Sequence, residues 1–338
     1  MSVVQHVSRH YPCDPSAASA EAGDRIDFYM DVLHRGVAEA QREKQRLLAE
    51  DDLAGDQDGA LARIGVSSLQ LAGYFSLADF GDEFARIRAS VRCAANALVA
   101  RLQSAGQPAG RAHVTAVIEE REYWIPTLGG TADAPAASDF LAGLWTTLVV
   151  RDPRLLTFLL GGPDRLGYPV GAGEYRQLWA RCWQQWHTGD TRLAQTIADA
   201  ESAADASGEE YATYIAAPAI RALRHLTTGA ATEFDAALTE ALRQHRAYWG
   251  ADERRLDTLG FVAWPLLALV CQATARGLHR TVESDYLPVG LLDHAWTLPF
   301  AEDIIRYPNA THDKDGDPLY PIRLGIDGLW ELHEATDR

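Results

Sequence analysis

The residues best equipped for chemistry lie in the last third of the chain. His245, Tyr248 and Trp249 close the segment Phe234–Trp249, and Glu283, Asp285 and Tyr286 follow in the stretch Glu283–Pro288. An imidazole, a phenol and a carboxylate lining one pocket could exchange protons with a bound substrate or orient it. The spacing around the histidine points the other way. Phe234, Leu238, Leu242, His245 and Trp249 recur at intervals of four, four, three and four, which makes one helical stripe. Neither position four residues from His245 is acidic, since Ala241 and Trp249 stand there. With no acid to orient its ring, His245 reads first as a core histidine and second as a base or ligand. The stretch Glu283–Pro288 mixes acids and an aromatic outside any helical period, so it reads equally as a binding loop or as a turn with Tyr286 plugging the core.

Other motifs are weaker. Trp179, Trp183 and Trp186 repeat at four and three, which is a core stripe before it is an aromatic cage. Asp313, Asp315 and Asp317 alternate, but Gly316 precedes the third acid and Leu324 stands where a calcium loop needs glutamate. That tract reads as a solvated acidic turn. Gly161-Gly162 and Gly171-x-Gly173 lack the strand–glycine–helix context of a phosphate cradle. Zinc-protease and nucleophile-elbow motifs are missing too. The expectation is no cofactor, no metal and no catalytic residue. Cys13, Cys93, Cys182 and Cys271 are scattered, which suits buried thiols in a reducing cytoplasm better than a disulfide frame.

The formal charge of −16 disfavours nucleic acid and an anionic membrane surface as partners. It suits a basic protein partner, because opposite charge speeds encounter. Met1–Ala20 holds no apolar leader segment, and the apolar run Phe261–Val270 contains Pro265 and is too short to cross a bilayer. The expected location is cytoplasmic.

The elements that must position these residues are mostly helical. Residues 1–23 read as a poorly ordered arm. Ile26, Met30, Leu33 and Val37 then share a helix face, and further helices are predicted near 59–75 and 82–102. His113–Pro126 alternates, turns at Glu119–Glu122 and becomes aromatic, which predicts a short β-hairpin. Helices follow at Phe140–Leu148 and Leu155–Leu160, with a Gly/Pro loop at 161–173 as a possible boundary between halves. Beyond it helices pair around Gly189 and Gly229, 40 residues apart, within the roughly 34–47-residue range of helical-hairpin repeats. The predicted fold is mainly α, a repeat-like stack of antiparallel helical hairpins with one β-hairpin. Pro265 should kink the helix 256–275 unless it sits at a break. Residues 301–338 read as an irregular extension packed on the domain, since they carry too many large apolar residues for a linker.

The C-terminal half resembles the Immunity protein 49 family of bacterial polymorphic toxin systems. The resemblance is carried by Phe234–Trp249, the apolar helix with Pro265 and Leu266, the run Val282–Pro288, Leu291-Leu292 and Trp296. It extends diffusely over 24–300, with possible halves 24–162 and 173–300. It implies a mostly helical protein that neutralises a cognate toxin, and it places His245, Tyr248, Trp249, Glu283, Asp285, Tyr286 and Trp296 in the family-like binding motif. Two other readings stay open from the residues alone. One is a helical enzyme or small-molecule binder of a biosynthetic cluster, with His245, Tyr248, Glu283 and Tyr286 lining a pocket. The other is a hairpin-repeat scaffold with a concave peptide groove. The oligomeric state is open.

Overall fold

A computed structural model describes residues 5–9, 42, 57–76, 83–105, 113–118, 121–126, 137–160, 174–278, 281–292, 323–324 and 330–331. The helix expected over 24–46, the acidic tract 313–317, Cys13 and Trp296 lie outside the described residues.

Two long helices, α1 (Gln57–Phe75) and α2 (Glu83–Ala105), pack along each other. The hairpin follows at its predicted place. β2 (His113–Ile118) and β3 (Arg121–Pro126) run antiparallel, with His113 opposite Pro126 and Ile118 opposite Arg121. β2 lies on α2, which gives this small ribbon the apolar support that an isolated hairpin lacks.

The centre of the core is α3 (Ala137–Val150), which packs against α2 and against α9 (Trp264–Ala275), with α5 (Glu174–Thr188) and α4 (Pro153–Leu160) beside it. Eleven of its fourteen residues are buried, so it is apolar almost all round. α3 ends at Arg151, held at φ 59°. The Arg151 guanidinium donates 3.0 Å to the Leu292 carbonyl of α10 (Val289–Leu292), which holds the bend in place.

The stack of hairpins is built from α5, α6 (Leu193–Ala206), α7 (Ala217–Thr228) and α8 (Ala231–Trp249), each packed on the next. The two glycines singled out in the sequence make its corners. Gly189 and Gly229 sit at φ 69° and 72°, left-handed positions that cost a glycine nothing sterically. At Gly229 the Ala230 N–H donates 3.1 Å to the His225 carbonyl and the Gly229 N–H 3.2 Å to that of Leu226, the paired bonds of a Schellman stop. α7 is preceded by a π-helical turn, Ala212–Ala216, so the predicted helix 211–226 is continuous but locally widened.

The predicted helix 256–275 is broken, and Pro265 sits at the break. A 3-10 turn, Thr258–Phe261, passes through extended Val262 into α9, where Pro265 occupies the first helical turn. The window Thr258–Ala275 has a mean hydropathy of 1.6. Its α-helical part is only 12 residues, about 18 Å long against a hydrocarbon core of roughly 30 Å. Its apolarity matches its burial among α3, α7 and α8.

One expectation is corrected. Residues 5–9 do not belong to a poorly ordered arm. β1 (Gln5–Val7) pairs in parallel with β4 (Val282–Ser284), Val7 is buried, and the Ser284 hydroxyl donates 2.7 Å to the Val7 carbonyl. The Ser/Ala/Pro-rich composition that suggested disorder belongs to the residues after this strand. A second short ribbon joins β5 (Arg323–Leu324) to β6 (Trp330–Glu331).

The joint between α1 and the 3-10 turn is close. A Cβ built on Gly73 would lie 1.9 Å from the Thr258 carbonyl oxygen, which is backbone and cannot rotate away. Gly73→Ala should therefore destabilise the fold by about 1–3 kcal/mol despite its better helix propensity. A urea titration against wild type measures this, and an unchanged midpoint would refute the contact.

Candidate functional site

The family-like residues divide between a packed ring cluster and an exposed strand end. The cluster begins with His245 on α8, 3 % exposed. Its Nε2 lies 2.9 Å from the Gly260 carbonyl oxygen. A carbonyl only accepts, so Nε2 carries the proton and donates. The Tyr286 ring meets the imidazole edge-on at 4.7 Å and is fully buried. Trp249, one turn on, lies 6.2 Å from the imidazole. Gly260 is the enabling residue, because a Cβ there would come within 2.4 Å of the Trp249 indole. Tyr286 also acts through its backbone, its carbonyl accepting at 3.1 Å from the Ala263 N–H that precedes α9.

Tyr248 is engaged on other sides. Its ring meets Trp249 at 5.1 Å and Tyr211 at 5.9 Å, both edge-on. The Arg254 guanidinium stacks 4.1 Å from it and pairs with Glu210 at 2.8 Å.

Glu283 and Asp285 are on the surface. Glu283 alternates outward from buried Val282 along β4. Asp285 accepts at 3.1 Å from the Arg9 backbone N–H, lies 3.4 Å from the His6 ring and thereby helps hold β1. The Arg9 guanidinium donates to the Asp285 carbonyl and, at 3.0 Å, to the Ser76 carbonyl. The structure thus joins His245, Trp249 and Tyr286, hangs Tyr248 at their edge, and sets Glu283 and Asp285 apart.

A cavity of about 350 Å³ opens beside the ring cluster. His245 and Trp249 form part of its wall, and Tyr248, Glu283 and Tyr286 do not line it. This cavity therefore takes in only His245 of the four polar groups considered from the sequence. Its other walls come from α1 (Val66, Leu69), α3 (Leu141, Trp145), the π turn (Ile215) and the start of α9 (Trp264). These lining residues carry no motif. Trp145 and Trp264 sit in nearly continuous apolar runs, where nothing in the spacing separates a cavity wall from a core position.

Two ion pairs flank the cavity. Arg101 holds Asp139 at 2.6 Å. Arg176 holds Glu209 at 2.6 Å, and the Tyr175 hydroxyl donates 2.9 Å to the same carboxylate. The Arg176 hydrogen bond is the main reason the Glu209 carboxyl is held below its ordinary range, with the Tyr175 bond adding and partial burial opposing. Burial, then the Glu209 bond, pushes the Tyr175 phenol well above its usual value. Cys182 is buried on α5, and burial raises its thiol to about 12, so it is a core group and not a nucleophile. Trp179 and Trp183 are buried in the core, as their stripe predicts. Half-buried Trp186 carries the Arg276 guanidinium 3.7 Å from its ring. Among the described residues no group of His, Cys, Asp and Glu side chains is arranged to hold a metal ion.

Residues 82–291, more than half of the chain, match the family described as Immunity protein 49. The chain belongs to that family. The match spans α2 to α10 and so takes in both the ring cluster and β4. No curated protein and no solved structure matches the chain. As an Immunity protein 49 member it is an immunity protein of a toxin system, with a cognate toxin as its implied partner.

Two outcomes check this geometry. His245→Phe keeps a ring but leaves the buried Gly260 carbonyl without its donor, and should destabilise by about 1–3 kcal/mol in chemical denaturation. The second is a pH dependence. A carboxyl with a depressed folded pKa stabilises above its unfolded value, near 4.5, and loses that contribution as pH falls through the folded one. Glu209→Gln should flatten the fall in stability below pH ~4.5 that wild type shows. Parallel acid profiles for the two proteins would rule this out.

Proposed function

We propose that this member of the Immunity protein 49 family neutralises its cognate toxin by stoichiometric occlusion, acting in the cytoplasm on a toxin of basic character. The observation that carries the reading is the family match across the helical domain. The net charge of −16 supports a basic partner, since complementary potentials raise association rates and disfavour wrong partners. The state of the family-like residues supports surface recognition over turnover. His245 and Tyr286 are committed to each other and to Gly260 and Ala263, which leaves Glu283 and its exposed neighbourhood on β4 as the part of the motif a partner can touch.

Co-expression with the product of the adjacent toxin gene tests the reading. The expected results are restored growth, a one-to-one complex on co-purification, and association that slows as salt is raised. Glu283→Lys should weaken the complex without changing the thermal midpoint of the free protein. Unprotected cells together with no complex at low salt would remove the proposal.

A further inference from the structure

We infer that the edge of β4 covered by β1 is a docking site for an extended segment of the toxin, one with an apolar residue two places before an arginine, which adds to β4 in place of β1. This rests on the toxin reading above and gives the form in which the partner meets β4. The first support is where the family's shared part lies. The match runs over residues 82–291, so it contains β4 and excludes β1. The edge comes from inside the matched region, and the strand that completes it comes from outside.

The second support is the cradle that β1 occupies. The pairing is parallel, with Gln5 opposite Val282 and Val7 opposite Ser284. The Ser284 hydroxyl donates 2.7 Å to the Val7 carbonyl, and the Asp285 carboxylate accepts at 3.1 Å from the Arg9 backbone N–H. The Arg246 guanidinium donates 3.1 Å to the Ser8 hydroxyl. Main-chain bonds of this kind accept any extended segment, and side-chain pockets then select among segments. Two side chains of β1 and its continuation are buried, Val7 at 7 % and Arg9 at 8 % exposure. The Arg9 guanidinium spans two backbone carbonyls on separate elements, that of Asp285 after β4 and that of Ser76 after α1. A planar guanidinium can bridge two such acceptors, whereas a lysine ammonium is a point donor. The cradle therefore selects apolar–x–Arg, and its acceptance of a cation suits a toxin of basic character.

The third support is that β1 is replaceable. It is three residues long, and it is attached by a few hydrogen bonds and little buried apolar surface. Segments with few buried contacts open at much lower free energy than the core. A toxin strand can reproduce the same bonds and adds the rest of its own interface.

The test uses the purified full chain and, as probe, a fluorescein-labelled peptide of the sequence Val3–Tyr11. Arg9→Ala in the chain loosens its own β1 and should raise peptide affinity about tenfold. The same substitution in the peptide should lower affinity about tenfold, the scale of a lost hydrogen bond to a charged group. A damaged fold would weaken binding in both cases, so the opposite signs belong to the docking edge alone. A second variant pairs Val7→Cys with Ser284→Cys in a Cys13→Ser background. Opposed residues on paired strands lie about 4.8 Å apart, within disulfide range, so oxidation closes β1 onto β4. The oxidised chain should bind neither the peptide nor the product of the adjacent toxin gene, and its reduced form should bind both. No saturable peptide binding to the Arg9→Ala chain, or peptide binding indifferent to oxidation, overturns the docking edge. Equal toxin complexes from the oxidised and reduced chains overturn the toxin as its occupant and leave the toxin reading standing. A wild-type dimer that Arg9→Ala dissociates assigns the edge to the β1 of a second copy and likewise overturns the toxin as its occupant. No toxin complex with wild type removes the toxin reading itself, and this occupant with it.

Discussion

The hydrogen bond from His245 to the Gly260 carbonyl joins the last turn of α8 to the 3-10 turn that launches α9, and much of the C-terminal architecture hangs on it. A buried imidazole in an apolar stripe is costly unless satisfied. Here it is satisfied by a carbonyl on the one residue that allows Trp249 to approach so closely. With α8 and the turn locked together, Tyr286 has a face to stack on, and its carbonyl then fixes Ala263 and the entry to α9. β4 is anchored to α8 as well, because Asp235 accepts from the Thr281 N–H at 3.2 Å and from its hydroxyl. β1 is tied on through Ser284 and Asp285, from a sequence distance of more than 270 residues. Sequence-distant segments are thus gathered by a handful of directional bonds, while the mass of the core supplies non-directional burial.

Most of the helical order was legible because it is written in local signals. The stripe Phe234–Trp249, the glycine corners at 189 and 229, and the alternating run from His113 each depend on residues close in sequence. They reappear as α8, the α5–α6 and α7–α8 turns, and the β2–β3 hairpin. Pro265 signalled either a kink or a break, since proline disrupts a helix interior, and the break is what forms. The features that stayed hidden are non-local. Nothing in Gln5–Val7 announces a parallel partner near residue 283, and a three-residue edge strand is too short to show a period. The π turn is also silent, because Ala-Thr-Tyr-Ile-Ala fits an ordinary helix equally well.

The chemistry was half legible for the same reason. His245 could be placed in a core stripe from its own helix, but its acceptor is a backbone carbonyl fifteen residues on, which no residue type reveals. Glu283 and Asp285 were grouped with Tyr286 by adjacency, and the structure separates them: Glu283 faces outward on β4, while exposed Asp285 and buried Tyr286 stand in the turn that follows the strand. The excess of acids is partly neutralised between elements. Arg176 to Glu209, Arg224 to Glu201 and Arg254 to Glu210 each clasp two parts of the helical stack. Such pairs add little stability at the surface. They do fix how neighbouring elements sit, and they leave the remaining negative charge to act at longer range.

An immunity protein that relied on its surface alone would gain stability from a filled core, since large aromatic groups in contact contribute more than the same groups beside a void. Here three tryptophans, Trp145, Trp249 and Trp264, surround open volume instead. Trp145 and Trp264, like Trp179 and Trp183 elsewhere in the core, have buried indole N–H groups without an acceptor, each of which offsets part of what burial of its ring contributes. A π turn, Ala212–Ala216, puts Ile215 on the same wall, with right-handed helical backbone at both of its ends. Glu283 is exposed on β4 while Tyr286 is buried against His245, so the family-like residues divide between the surface and this packed interior.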